Sequence, residues 1–191
     1  MGYAANLSQS LETLAAEEGI TLAPDVVRAF GASPGTWTPF PDSVRALAKL
    51  SRHFRLFILS NVDEANIAST VARLEPVKFS GVYTAEAIGS YKPARQNFEY
   101  LFRHVKEDEG IDWQKGELLH VARSLTADHV TCKEIGLRSV WISRGGNKKE
   151  GEGVGGDLER LKGEGRLGFE WRFDDLAQFA EEVERQLGSG Q

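Results

Sequence analysis

Two spacings of apolar residues alternate along the chain and divide it into elements. Near the start the spacing is helical: Leu7, Leu11 and Leu14 recur at three and four, with Gly19 as a natural stop. A second helix begins near Pro24, a good first-turn residue. It is expected to bury Val26, Val27 and Phe30 and to stop at Gly31. Such a pair needs another layer over its apolar faces. Trp37-Thr38-Pro39-Phe40-Pro41-Asp42 follows. Its two prolines enforce an extended connector, and Asp42 is placed to cap a helix carrying Val44, Leu47 and Leu50.

From residue 56 the pattern alternates. Leu56-Phe57-Ile58-Leu59 is wholly apolar, as a buried parallel strand should be. Helix 63–74 presents Ile67, Val71 and Leu74 on one face, and 77–84 reads as a weaker strand. Helix 93–106 opens on Pro93 and buries Phe98, Leu101, Phe102 and Val105. Leu118–Ala122 is the next strand, followed by a helix from Asp128 to Ile135 closed by Gly136, and then by strand Ser139–Ile142. Residues 144–170 break the rhythm. They hold nine of the 20 glycines and read as a flexible surface loop. A final helix over 174–187 carries Leu176, Phe179, Ala180, Val183 and Leu187 on one stripe. Strand–helix alternation with short connections predicts an α/β fold with a mostly parallel sheet. The domain reading is residues 1–36 as a partial helical cap and 37–190 as an α/β core.

Composition narrows the function classes. The 191 residues are 41% hydrophobic and carry a formal charge of -5. A chain of this size buries about 70% of its unfolded surface, enough for a real core. The acidic balance argues against nucleic acid as partner. No apolar run approaches the ~20 residues of a membrane span, and no secretory signal is visible. A single cysteine, Cys132, excludes an internal disulfide and fits a reducing, cytoplasmic setting.

In parallel α/β sheets, ligands bind beyond the carboxyl ends of the strands. Ser60 and Asn61 follow the first strand, Lys92 and Pro93 follow the second, and Ser124 to Asp128 follow the third. A hydroxyl and amide, an ammonium, and a hydroxyl and carboxylate thus arrive at one edge. They suit a small anionic molecule held by Ser60, Asn61 and Lys92, with Asp128 as a base. Taken singly, Ser60, Asn61 and Asp128 are ordinary helix caps and Lys92 is a solvated lysine.

Leu59-Ser60-Asn61, Tyr91-Lys92-Pro93 and Ser124-Leu125-Thr126-Ala127-Asp128, in this order and spacing, resemble the second, third and fourth motifs of the haloacid dehalogenase (HAD) superfamily. The 37–42 connector, Ser60-Asn61-Val62-Asp63 and His120-Val121-Ala122-Arg123-Ser124 resemble its 2-haloacid dehalogenase branch. The resemblance implies a HAD-like Rossmannoid parallel sheet flanked by helices. It implies hydrolytic removal of halide from a small 2-haloalkanoic acid through an aspartyl ester. Ser60 and Asn61 would then bind substrate, Lys92 would neutralise charge on the nucleophile, Asp128 would orient or activate water, and Ser124 would hydrogen-bond within the group. It implies no cofactor and no metal, because Ser124 stands where phosphatases of the superfamily carry an acid. A homodimer is the assembly it suggests.

The resemblance fails at its first motif. No aspartate in the sequence is followed by threonine at the fourth position, so the nucleophile and the central first strand are expected to be missing, as in a truncated chain, and catalysis to be impaired. After Lys92, Phe98 occupies the place of a tyrosine in some relatives. A magnesium-dependent phosphatase and a non-catalytic acid-binding or interaction domain are the alternatives. Gly151-x-Gly153-x-x-Gly156 matches a dinucleotide fingerprint only as a string, since it follows no strand directly. His120 reads as a core or edge histidine, His129 as bordering the site, and Cys132 as packed. The four histidines show no metal-ligand spacing with one another or with Cys132.

Overall fold

A computed structural model describes residues 2–144 and 155–188. The chain opens with α1 (Tyr3–Glu17) and α2 (Pro24–Ala32). Gly19 turns with φ +70 between them. Gly31 does not stop α2. It is buried within it, where a Cβ would collide with Ser8 Oγ and meet the Ala4 carbonyl at 2.6 Å. The glycine is there because the two helices touch backbone to backbone, not because the helix ends. Of the three apolar residues expected inside, only Val27 is buried; Val26 is 49% and Phe30 42% exposed. Polar groups tie α1 and the turn after α2 to residues further along the chain. Asp63 accepts from the Ala4 N–H at 3.1 Å, and Asn66 accepts from the Gly35 N–H at 2.8 Å.

Next come α3 (Ser43–Leu50), β1 (Phe57–Ser60), α4 (Glu64–Arg73), β2 (Gly81–Thr84), α5 (Ala85–Ile88), α6 (Arg95–Glu109) and β3 (His120–Ala122). A turn over Leu125–His129 leads to α7 (Val130–Ile135), β4 (Ser139–Ile142), α8 (Leu158–Gly163), β5 (Trp171–Phe173) and α9 (Leu176–Leu187). Asp42 does not cap α3. Its backbone is already helical (φ -83, ψ -25), whereas a capping residue is extended. Its carboxylate accepts two bonds from Arg144, at 2.8 and 3.0 Å, and one from the Leu176 N–H at 2.9 Å. It thereby ties the start of α3 to the end of β4 and the start of α9.

All strand pairs are parallel. β1 pairs with β2, Ile58 opposite Val82, and β3-β4-β5 form a second ladder with Val121 opposite Val140 and Trp141 opposite Arg172. Among the described residues no backbone ladder joins β1 to β3 and no strand lies between them. β4, flanked on both sides, is buried throughout, whereas every residue of β1 and β3 is only half-buried. Apolar packing does cross between the ladders. On one face Leu56, Leu119 and Val121 pack with Ala46, Leu50, Val140, Phe179 and Val183. On the other, Leu59 and Leu118 join both the Tyr83–Leu101–Val105 and the Phe98–Cys132–Leu137 clusters.

The expected loop over 144–170 differs in its second half. Residues 145–154, with the first part of the glycine string, lie outside the described residues. Beyond them α8 forms, capped by Asp157, whose carboxylate accepts from the Arg160 N–H at 3.0 Å. Leu161 is fully buried against Leu125, Val130 and Trp141. β5 was not apparent in the pattern, being three residues long with Arg172 between Trp171 and Phe173. Among the described residues no helix is long and apolar enough to cross a membrane. If α8 is part of the core, Leu161→Ala will cost about 2–5 kcal/mol in urea unfolding, the usual penalty for a truncated buried leucine. An unchanged midpoint would show that this segment contributes nothing to stability.

Candidate active site

The carboxyl ends of β1 and β3 converge on one lysine. Lys92 Nζ donates to the Leu59 carbonyl at 2.9 Å and to Asp128 Oδ1 at 2.6 Å. Its position is fixed by Asn61, whose side-chain amide donates to the Lys92 carbonyl at 2.9 Å and whose Oδ1 accepts from the Lys92 N–H at 2.7 Å. The loop is held from the far side by Thr131 Oγ1, donating to the Pro93 carbonyl at 2.9 Å. Asn61 is thus committed to aiming the lysine. Ser60, one residue earlier and half-buried, pairs with Thr84 through its backbone, but its hydroxyl makes no hydrogen bond among the described residues.

Asp128 comes from the turn after β3. Ser124 caps this turn by accepting the Ala127 N–H at 3.1 Å. The turn is one residue wider than an α-helix, with the His129 N–H reaching back to the Ser124 carbonyl at 3.4 Å. Widening of this kind is frequent at functional sites, and here it puts Asp128 inside the turn rather than at its cap. Gly155 lies against the same turn with φ +115, its carbonyl accepting from the Thr126 N–H at 2.9 Å. A Cβ at Gly155 would meet Ser124 Cα at 2.9 Å, so glycine is required there.

His120 is the site residue that the sequence reading placed elsewhere. Its Nε2 lies 2.9 Å from Asp128 Oδ1, the oxygen that Lys92 already holds. The side chains of Lys92, Asp128 and His120 are 11%, 6% and 10% exposed. The available signal was that His120 is the one polar residue in an otherwise apolar strand, and a buried polar group needs a partner. Burial by itself pushes the Asp128 carboxyl up. The His120 hydrogen bond and the Lys92 charge outweigh it and hold the group ionised, well below its ordinary value.

His129 lies beneath the site. The Ala122 carbonyl accepts from its Nε2 at 3.0 Å, which leaves Nδ1 to accept from the Ser139 hydroxyl at 3.0 Å. The ring is wholly buried, and burial pushes it below its ordinary 6.5. Burial, reinforced by Asp128, pushes the Cys132 thiol up to about 12, which removes it as a nucleophile. These residues do not suit a divalent cation. Asp128 Oδ1 is already shared by two donors, and no three His, Cys, Asp or Glu side chains converge among the described residues. Magnesium asks for octahedral oxygen ligation.

Solved structures share this fold. The L-2-haloacid dehalogenase of Xanthobacter autotrophicus with chloropropionic acid covalently bound superposes with a TM-score of 0.74, over 96% of this chain and 76% of that one, at 18% identity. The chain has the haloacid dehalogenase fold. A defluorinating L-2-haloacid dehalogenase matches at TM-score 0.71 and 15% identity, over 96% of this chain and 70% of that one. A Bacillus subtilis protein described as a HAD-hydrolase, bound to magnesium, matches at TM-score 0.70 and 17% identity, over 98% and 73%. Neither a family model nor a curated protein matches the sequence. In this fold the Lys92–Asp128 cluster lies at the sheet's carboxyl edge, where ligands bind.

A depressed histidine resists the proton that the unfolded chain takes up. Stability is therefore full above about pH 6.5 and falls as pH drops below it. Asp128 adds a loss of the same sign at lower pH. The melting temperature is expected to fall between about pH 8 and about pH 5, and the fall to shrink in His129→Gln. An equal slope in the variant would remove His129 as its source.

Proposed function

We propose that this chain is a haloacid dehalogenase-like hydrolase whose site accepts a small 2-haloalkanoic acid. The supporting observation is the Lys92 ammonium, held between the Leu59 carbonyl and Asp128 at the carboxyl edge. In this reading residues 1–36 act as a partial cap. The free Ser60 hydroxyl contacts the substrate carboxylate, and Asn61 serves the same site by holding the Lys92 backbone. Asp128 directs a water, and Ser124 holds the turn that carries Asp128. The reaction would have a carboxylate oxygen attack C2, with halide leaving with the bonding pair, and water then hydrolyse the ester to a 2-hydroxy acid.

The attacking carboxylate is the unsupplied part. The only carboxylate bonded to Lys92 among the described residues is Asp128, and the sequence has no Asp-x-x-x-Thr. Turnover by this chain alone is accordingly impaired in this reading. A magnesium-dependent phosphatase would need that acid and further cation ligands as well.

The test uses 2-chloropropionate and p-nitrophenyl phosphate, each with and without EDTA. The expected outcome is stabilisation of the protein by 2-chloropropionate, lost in Lys92→Ala, with little chloride release. Fusing an upstream strand that carries Asp-x-x-x-Thr is expected to give chloride release insensitive to EDTA. Phosphate release abolished by EDTA would overturn the proposal in favour of a phosphatase.

A further inference from the structure

We propose that His120 is a positioning residue of this site: sharing Asp128 Oδ1 with Lys92, it leaves Oδ2 without a hydrogen-bond partner among the described residues and makes the grip on a carboxylate ligand depend on the imidazole's own proton. The inference rests on the acid-binding reading above and extends it to a residue outside the recognised motifs.

The geometry is specific. Lys92 Nζ at 2.6 Å and His120 Nε2 at 2.9 Å meet the same oxygen. No described residue hydrogen-bonds Oδ2, yet no buried side-chain polar atom is left without a partner. Oδ2 therefore keeps a trace of exposure on a side chain that is 6% exposed. Two donors on one oxygen fix the carboxylate plane more firmly than one would. The His120 ring is backed by Phe98, with centroids 5.4 Å apart, which limits its rotation.

The groups facing His120 are few. Asp128 faces it from the turn after β3, and Lys92 faces it across the shared oxygen. His129, from the same turn, is engaged with Ala122 and Ser139. α6 offers the uncharged Phe98 ring. The Lys92 and Asp128 charges offset each other, so the charge an incoming anion meets is set by whether His120 carries a second proton. One added unit charge in a poorly solvated site is worth on the order of tenfold in anion affinity.

Calorimetric binding of propionate, which resembles the substrate but carries no halide to lose, decides the matter at about pH 6 and about pH 8.5. Wild type is expected to bind about tenfold more tightly at the lower pH. His120→Gln keeps a neutral amide donor for Asp128. Its affinity should be the same at the two pH values, with no gain at the lower. His120→Phe removes the donor and should bind more weakly at both. Should His120→Phe not fold, the flat profile of His120→Gln still decides. A His120→Gln profile as steep as wild type overturns the His120 inference and leaves the acid-binding reading standing. Absence of propionate binding by wild type at both pH values overturns both.

Discussion

A buried ammonium and a buried carboxylate hold together two half-sheets that share no backbone hydrogen bonds among the described residues. Lys92 reaches from the end of β1 to Asp128 beyond the end of β3, and His120 of β3 closes on the same carboxylate oxygen. Charges removed from water are tolerated only when paired and hydrogen-bonded, and the surrounding structure reflects that demand. Asn61 clamps both main-chain polar groups of Lys92. Ser124 caps a widened turn that carries Asp128 inward. Thr131 ties the following helix to the lysine loop. The apolar clusters that cross between the ladders supply cohesion without direction; the ion pair sets the register between the two halves at the carboxyl edge.

Much of this was legible in the sequence because it depends on local periodicity. The apolar run ending at Leu59, the stripe of α6 and the stripe of α9 each announced an element of the right type. The spacing of Asn61, Lys92 and Asp128 after successive strands announced a convergence. What was not legible depends on contacts distant in sequence. Gly31 resembles a helix stop unless one knows that α1 lies against it. Asp42 resembles a cap unless one knows that Arg144, 102 residues away, takes its carboxylate. The glycine-rich stretch resembles a loop throughout, yet its later part folds because Leu161 finds Trp141 and Val130. β5 is too short and too charged to announce itself, and it forms because β4 offers an open edge. His120 needed Asp128 as a partner, and no spacing rule links a strand residue to a turn eight positions on.

Arrangement and chemistry point the same way. The fold is shared with solved L-2-haloacid dehalogenases, and the cluster offers a cation, a free hydroxyl and an ionised carboxylate at the edge where parallel α/β sheets bind ligands. Its donor set suits an organic anion better than a divalent cation, because the one carboxylate at its centre is already occupied by two donors. Among the described residues, the unpaired edges of β1 and β3 and the lack of a second carboxylate beside Lys92 belong together. Both concern the strip of space between the half-sheets.

The central claim is that Lys92 and Asp128 act as one buried unit joining the two ladders. A double-mutant cycle with Lys92→Met and Asp128→Leu, measured by urea unfolding, tests it most directly. The account predicts that each single change costs about 3–5 kcal/mol, because it strands the other charge. It predicts that the double change costs far less than their sum, a coupling above about 1.5 kcal/mol. Additivity within about 0.5 kcal/mol would mean that the two groups do not depend on each other, and would contradict the account.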